Sequence, residues 1–108
     1  MSFTYEKLAE VAFQIITFTG EAKSFAMLAI YAAKDKKFEE AKENIKKANE
    51  NINKASEQHF DLIQKEASGE TINVPLILMH AEDQLLSTQT LILMAEEMID
   101  LHKKLDEK

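Results

Sequence analysis

Residues 38–62, FEEAKENIKKANENINKASEQHFDL, decide the fold. Phe38, Ala41, Ile45, Ala48, Ile52, Ala55, His59 and Leu62 recur in alternating steps of three and four, which places them along one narrow seam of a long helix. The positions between them are mostly Lys, Glu, Asn and Gln, a solvated face and not a binding tail. Working outward, two interruptions appear: Lys34-Asp35-Lys36-Lys37, and the stretch from Ala67 to Pro75. Asp35 is read as the N-cap of the second helix, Gly69 as the left-handed residue that ends it, and Asn73 before Pro75 as the start of a third. The expected helices run from about 4 to 33, 36 to 67 and 74 to 105. Short connections make them antiparallel neighbours, an all-α three-helix up-down-up bundle filling residues 1–108 as one domain.

Composition agrees. Two Gly and one Pro among 108 residues exclude hairpin-rich β folds. The absence of Cys excludes a disulfide scaffold, a zinc ribbon and a thiol nucleophile, and it fits a reducing cytoplasm. A net charge of −6 argues against nucleic acid as a partner. The longest apolar run, Phe25 to Ala33, is too short to cross a bilayer, and the start MSFTYEKLAE does not read as a signal peptide, so no membrane insertion is expected.

Apolar residues are unevenly shared. Helix 2 has 10 in the 34 residues from Asp35 to Ser68, whereas helix 1 has 18 in 26 from Leu8 to Ala33 and helix 3 has 17 in 32 from Val74 to Leu105. A compact monomer of this mass exposes roughly 6,100 Å². Helices 1 and 3 carry more apolar residues than one core-facing stripe uses. A cyclic homo-oligomer with helix 2 outside is the expected remedy.

Polar groups interrupt the middle of helix 3. His80, Asp83, Ser87 and Thr90 follow steps of three, four and three and share one face. His80 alone reads as a hydrogen-bonded core histidine. A polar stripe inside an oligomer interface is read as either register control or a site, and Asp83 on the same face raises the second, because a carboxylate at an oligomer axis meets copies of itself and needs protons, water or a cation. His59 falls in the helix 2 seam and His102 in the last turn of helix 3, both structural readings, and the Met residues are core or interface filling.

The run Leu76-Ile77-Leu78-Met79-His80-Ala81-Glu82-Asp83-Gln84-Leu85-Leu86 resembles the LLLVHAQDHLM segment of the lactose/cellobiose-specific IIA component of the bacterial sugar phosphotransferase system. Gly20-Glu21-Ala22-Lys23-Ser24-Phe25-Ala26-Met27, Phe38-Glu39-Glu40-Ala41 and Leu62-Ile63-Gln64-Lys65-Glu66-Ala67-Ser68-Gly69-Glu70 resemble further family stretches in the same order. The resemblance implies a homotrimeric nine-helix bundle with His80 as phosphoryl acceptor. It places Asp83 near the threefold axis, where Mg²⁺ or another divalent cation is held. It also implies HPr as donor, a cysteine of the cognate IIB protein as acceptor, and a β-linked disaccharide such as cellobiose or lactose as the sugar phosphorylated downstream. Such a protein is a phosphotransferase component with a phosphohistidine intermediate, not an independent catalyst. Gln84 and Gly20, of the same or a neighbouring protomer, are read as site support. Glu82 stands where Gln is usual and Gln84 where His is usual, and Glu82 is expected to turn away from His80, toward solvent or a partner. A non-catalytic helical oligomerisation or regulatory module of the same fold is the alternative. A metal-dependent enzyme on His80 and Asp83 is weaker, since the pair supplies two ligands only.

Overall fold

The computed structural model describes residues 3–108. Three helices form: α1 (Tyr5–Lys34), α2 (Phe38–Ala67) and α3 (Leu76–Asp106). A hydrogen bond from the Phe3 amide to the Thr71 carbonyl ties the start of α1 to the segment leading into α3. At the other end Lys36 pairs with Asp106. α1 and α3 therefore run parallel, with α2 antiparallel between them in the chain, and α1 packs more extensively on both than they do on each other. The result is a rod of 59 × 20 × 18 Å.

Both reversals use the same device, and only one was legible beforehand. After α2, the Gly69 amide bonds to the Glu66 carbonyl and the Glu70 amide to the Lys65 carbonyl, with Gly69 at φ 107, a Schellman ending as expected of that glycine. After α1 the same pair of bonds runs from Lys36 to Ala33 and from Lys37 to Ala32, and the left-handed residue is Lys36, at φ 63. Asp35 is thus the C-cap of α1 and not the N-cap of α2, whose N-cap is Lys37 without a side-chain bond. A lysine in that region costs on the order of 1–2 kcal/mol. Lys36→Gly removes this strain, loses an exposed ion pair of little worth and adds unfolded-chain entropy; we expect a net gain of about 0.5 kcal/mol in urea unfolding. α3 starts after Pro75, an extended N-cap, so Asn73 does not cap it.

The α2 seam lies inward as read: Ala41, Ala48, Ile52, Ala55 and Leu62 are buried, with Phe38, Ile45 and His59 partly so. More than half of the buried apolar positions among the described residues are alanine, while Leu8, Ile15 and Leu85 are the largest side chains wholly enclosed. The face of α2 read as merely solvated also does packing. Lys47, Lys54 and Lys65 lie over the rings of Phe25, Phe18 and Phe3 at 5.6, 5.5 and 5.1 Å, so lysine stems roof the α1–α2 groove while their ammonium groups stay wet. Thr19 is the odd core member: its hydroxyl is buried without a partner. Thr19→Val removes that unpaired group at nearly constant shape and is expected to stabilise the chain by about 1 kcal/mol in the same unfolding experiment.

The surplus apolar surface stays outside. The chain exposes 7131 Å², more than the roughly 6,100 Å² of a compact monomer. Leu76 is 80% exposed, and Met79, Leu86, Met94 and Leu101 follow it along one outer stripe of α3, with Phe13, Leu28 and Tyr31 exposed on α1. Among the described residues no helix is long and apolar enough to cross a membrane.

Candidate functional site

His80 sits on the second turn of α3, exposed, within a helix held down by buried Leu78, Ala81 and Leu85 on its opposite side. Helical spacing puts Asp83 and Gln84 next to it, three and four residues on, so that the three form one patch. Asp83 is exposed and Gln84 partly buried. Ser87 and Thr90 continue the exposed line, the Thr90 hydroxyl donating back to the Leu86 carbonyl.

Asp83 occupies a particular place. Steps of three and four run Leu76, Met79, Asp83, Leu86, Thr90, Met94, so its carboxylate lies in the middle of the outer apolar stripe. One protomer offers a cation little: among the described residues no cluster of three or more acidic or His side chains forms. Its hard oxygen donors nonetheless suit Mg²⁺, and copies of Asp83 brought together by symmetry are the set this surface can provide. No Lys or Arg occurs between Glu66 and His102, so α3 supplies His80 with amide and hydroxyl donors but no cationic clamp.

The other proposed support is elsewhere. Gly20 lies on the outer side of α1, and a Cβ built there meets nothing within 4 Å. The two end contacts of the rod put Gly20 level with α3 residues near 90, roughly 15 Å along the axis from His80. Within the protomer, then, no close backbone approach at Gly20 serves the histidine.

A pairing missed in the sequence lies on the other flank. Glu82 turns away from His80 as expected, but toward α2 of its own protomer: its Oε2 is in direct contact with Nδ1 of His59, both atoms buried. The Gln89 Nε2 donates to the Ser56 hydroxyl at 3.1 Å farther along the same interface. Antiparallel register about the 68–75 connection was the available signal, since positions 59 and 82 lie at similar distances from it. His102 lies at the far end, lining a polar cavity of about 210 Å³ with Lys34, Lys36 and Asp106.

Known proteins resemble the chain over nearly its whole length. The chain is 40% identical to the lichenan-specific phosphotransferase enzyme IIA component of Bacillus subtilis, with 95% of this chain and 94% of that protein covered. It is also 40% identical to the oligo-beta-mannoside-specific EIIA component of the same organism, over 87% and 86%. Among solved structures, the cellobiose-specific enzyme IIA from Bacillus anthracis superposes with a TM-score of 0.91 at 42% identity, covering 98% of this chain and 95% of that one. The match to the PTS lactose/cellobiose-specific IIA subunit runs from residue 10 to residue 103, taking in His80 and nearly all of the three-helix rod, and the chain belongs to that family.

Proposed function

We propose that the protein is a phosphoryl carrier of a bacterial sugar-uptake system, with His80 as the residue phosphorylated. The observation that carries this reading is an exposed histidine flanked by Asp83 and Gln84 on one patch of a rigid helix within the family-matched region. In the first step the lone pair of an unprotonated His80 ring nitrogen attacks the phosphorus of phospho-HPr. A new P–N bond forms, the donor's P–N bond breaks, and the donor imidazole leaves with the electron pair. In the second step a cysteine thiolate of the IIB protein attacks. An S–P bond forms and the His80 nitrogen departs with its pair, restored to neutral imidazole. Gln84 is placed to donate to the phosphoryl oxygens or to orient the ring.

The lack of a cationic clamp suits a carrier, because a phosphoryl group bound too favourably would not be handed on. The outer stripe of α3 supports a homotrimer with α3 toward the axis, in which three copies of Asp83 would hold Mg²⁺ or another divalent cation and so offset their mutual repulsion. The relatives' names support a β-linked oligosaccharide as the sugar, and the carrier itself works in the cytoplasm. Glu82, one of the two departures that favoured a non-catalytic module, points away from His80 and does not obstruct the site. Incubation with phosphoenolpyruvate, enzyme I and HPr tests the reading. The chain should gain about 80 Da as an acid-labile adduct and lose it on addition of the IIB protein; a chain whose mass never changes is the non-catalytic module instead.

A further inference from the structure

The end of the rod away from the 68–75 connection differs in charge from the rest. Residues 34–37 and 100–108 hold six of the 13 lysines against four carboxylates, in a chain whose net charge is −6. α1 and α3 both finish here, and cations in their last turns, Lys34, Lys103 and Lys104, complement the carbonyl ends of the two helices. Lys36 and Lys108 have no such role, since each lies beyond a C-cap, Asp35 or Glu107. Lys36 moreover holds a left-handed backbone, φ 63, that glycine adopts without strain. A lysine kept there at a cost in stability points to a use for its ammonium group.

These side chains meet at an open cavity of about 210 Å³, whose lining includes Lys34, Lys36, His102, Asp106 and Lys108. Lys36 donates to Asp106 at 3.2 Å, and the Lys34 ammonium lies 6.0 Å from the centre of the Tyr31 ring. Three ammonium groups therefore surround one carboxylate, a surplus of positive charge. Half-buried His102 adds at least one N–H donor in either protonation state.

We propose that this cavity binds a compact phosphate-type oxyanion, inorganic phosphate or a small phosphate monoester, at a site separate from the phosphoryl acceptor. A tetrahedral anion presents oxygens in several directions and takes a donor from each wall, whereas a carboxylate offers two in one plane. The volume is below the roughly 300–1,000 Å³ of pockets that hold drug-sized ligands, which limits the occupant to a small group. His80 lies 22 residues back along α3, roughly 33 Å away, so occupancy here does not depend on its carrier role.

The test follows backbone amide and His102 ring resonances of the whole chain as sodium phosphate is added, against sodium chloride at equal pH and ionic strength. Saturable shifts should centre on Lys36, Lys37, His102 and Asp106, with a dissociation constant on the order of 1–10 mM. Lys36→Gly, expected to fold more stably than the wild type, and Lys34→Gln should each weaken binding by about three- to tenfold. Lys46→Gln, which removes the same charge from the exposed face of α2, should change it by less than about twofold. Shifts reproduced by chloride, or a loss in Lys46→Gln as large as in Lys36→Gly, would reduce the effect to diffuse screening and overturn the proposal. Binding to phosphatidylglycerol vesicles without binding of free phosphate would overturn it as well, making this end a membrane-surface contact.

Discussion

His80→Ala should take up no phosphoryl group under conditions in which the wild type gains about 80 Da, a loss in rate of at least about a thousandfold. The loss should be complete because the remaining histidines cannot stand in. His59 is occupied with Glu82. His102 lies 22 residues farther along α3, roughly 33 Å away, among Lys34, Lys36 and Asp106. Because His80 is exposed, its removal should leave stability within about 0.5 kcal/mol, so an inactive variant is still a folded one. Intact mass spectrometry before and after mild acid reads the result. An acid-labile adduct surviving in His80→Ala would move the acceptor to another residue.

Asp83→Leu should tighten association of the protomers. In the proposed trimer each Asp83 sits in the apolar stripe and meets its copies, and removal from water penalises all of them. Leucine continues the flanking sequence of Leu76, Met79 and Leu86 and replaces repulsion by apolar contact. Exchange of buried charges for well-packed apolar groups gains about 1–4 kcal/mol, or roughly five- to a thousandfold in the dissociation constant. Sedimentation across a dilution series, with and without chelator, measures this. The wild type should weaken when divalent cations are removed, and the variant should not respond. A variant that sediments as a monomer would place Asp83 away from the axis.

Much of this was legible in spacing alone, and the exceptions have identifiable causes. The α2 seam was readable because burial on one side writes a period into the chain, and Gly69 because few residues other than glycine favour its backbone angle. The first reversal was misread by two residues: Lys36 adopts a left-handed conformation that no lysine advertises, so Asp35 looked like the opening of α2. Helical rotation gave the direction of Glu82 relative to His80 correctly. It did not name the neighbour in that direction, because a single helix carries no information about where its partner's register falls. Gly20 lies far from His80 along its own rod, so the expected support could come only from a neighbouring protomer, whose placement the spacing of one chain does not carry.

The alanine interior has a further consequence. A methyl side chain has no rotamers to choose among and little volume to lose or gain, so helices meeting through alanine approach to near the lower end of the usual 8–10 Å axial separation and have few ways to change it. Larger residues at Ala12, Ala26, Ala48 or Ala81, all fully enclosed, would wedge the rod apart. The interior therefore works as a fixed gauge. Surfaces can diverge until two chains share only 42% of their residues while the backbones still superpose at a TM-score of 0.91, and the height of His80 above the bundle axis is set by that gauge and not by its own contacts.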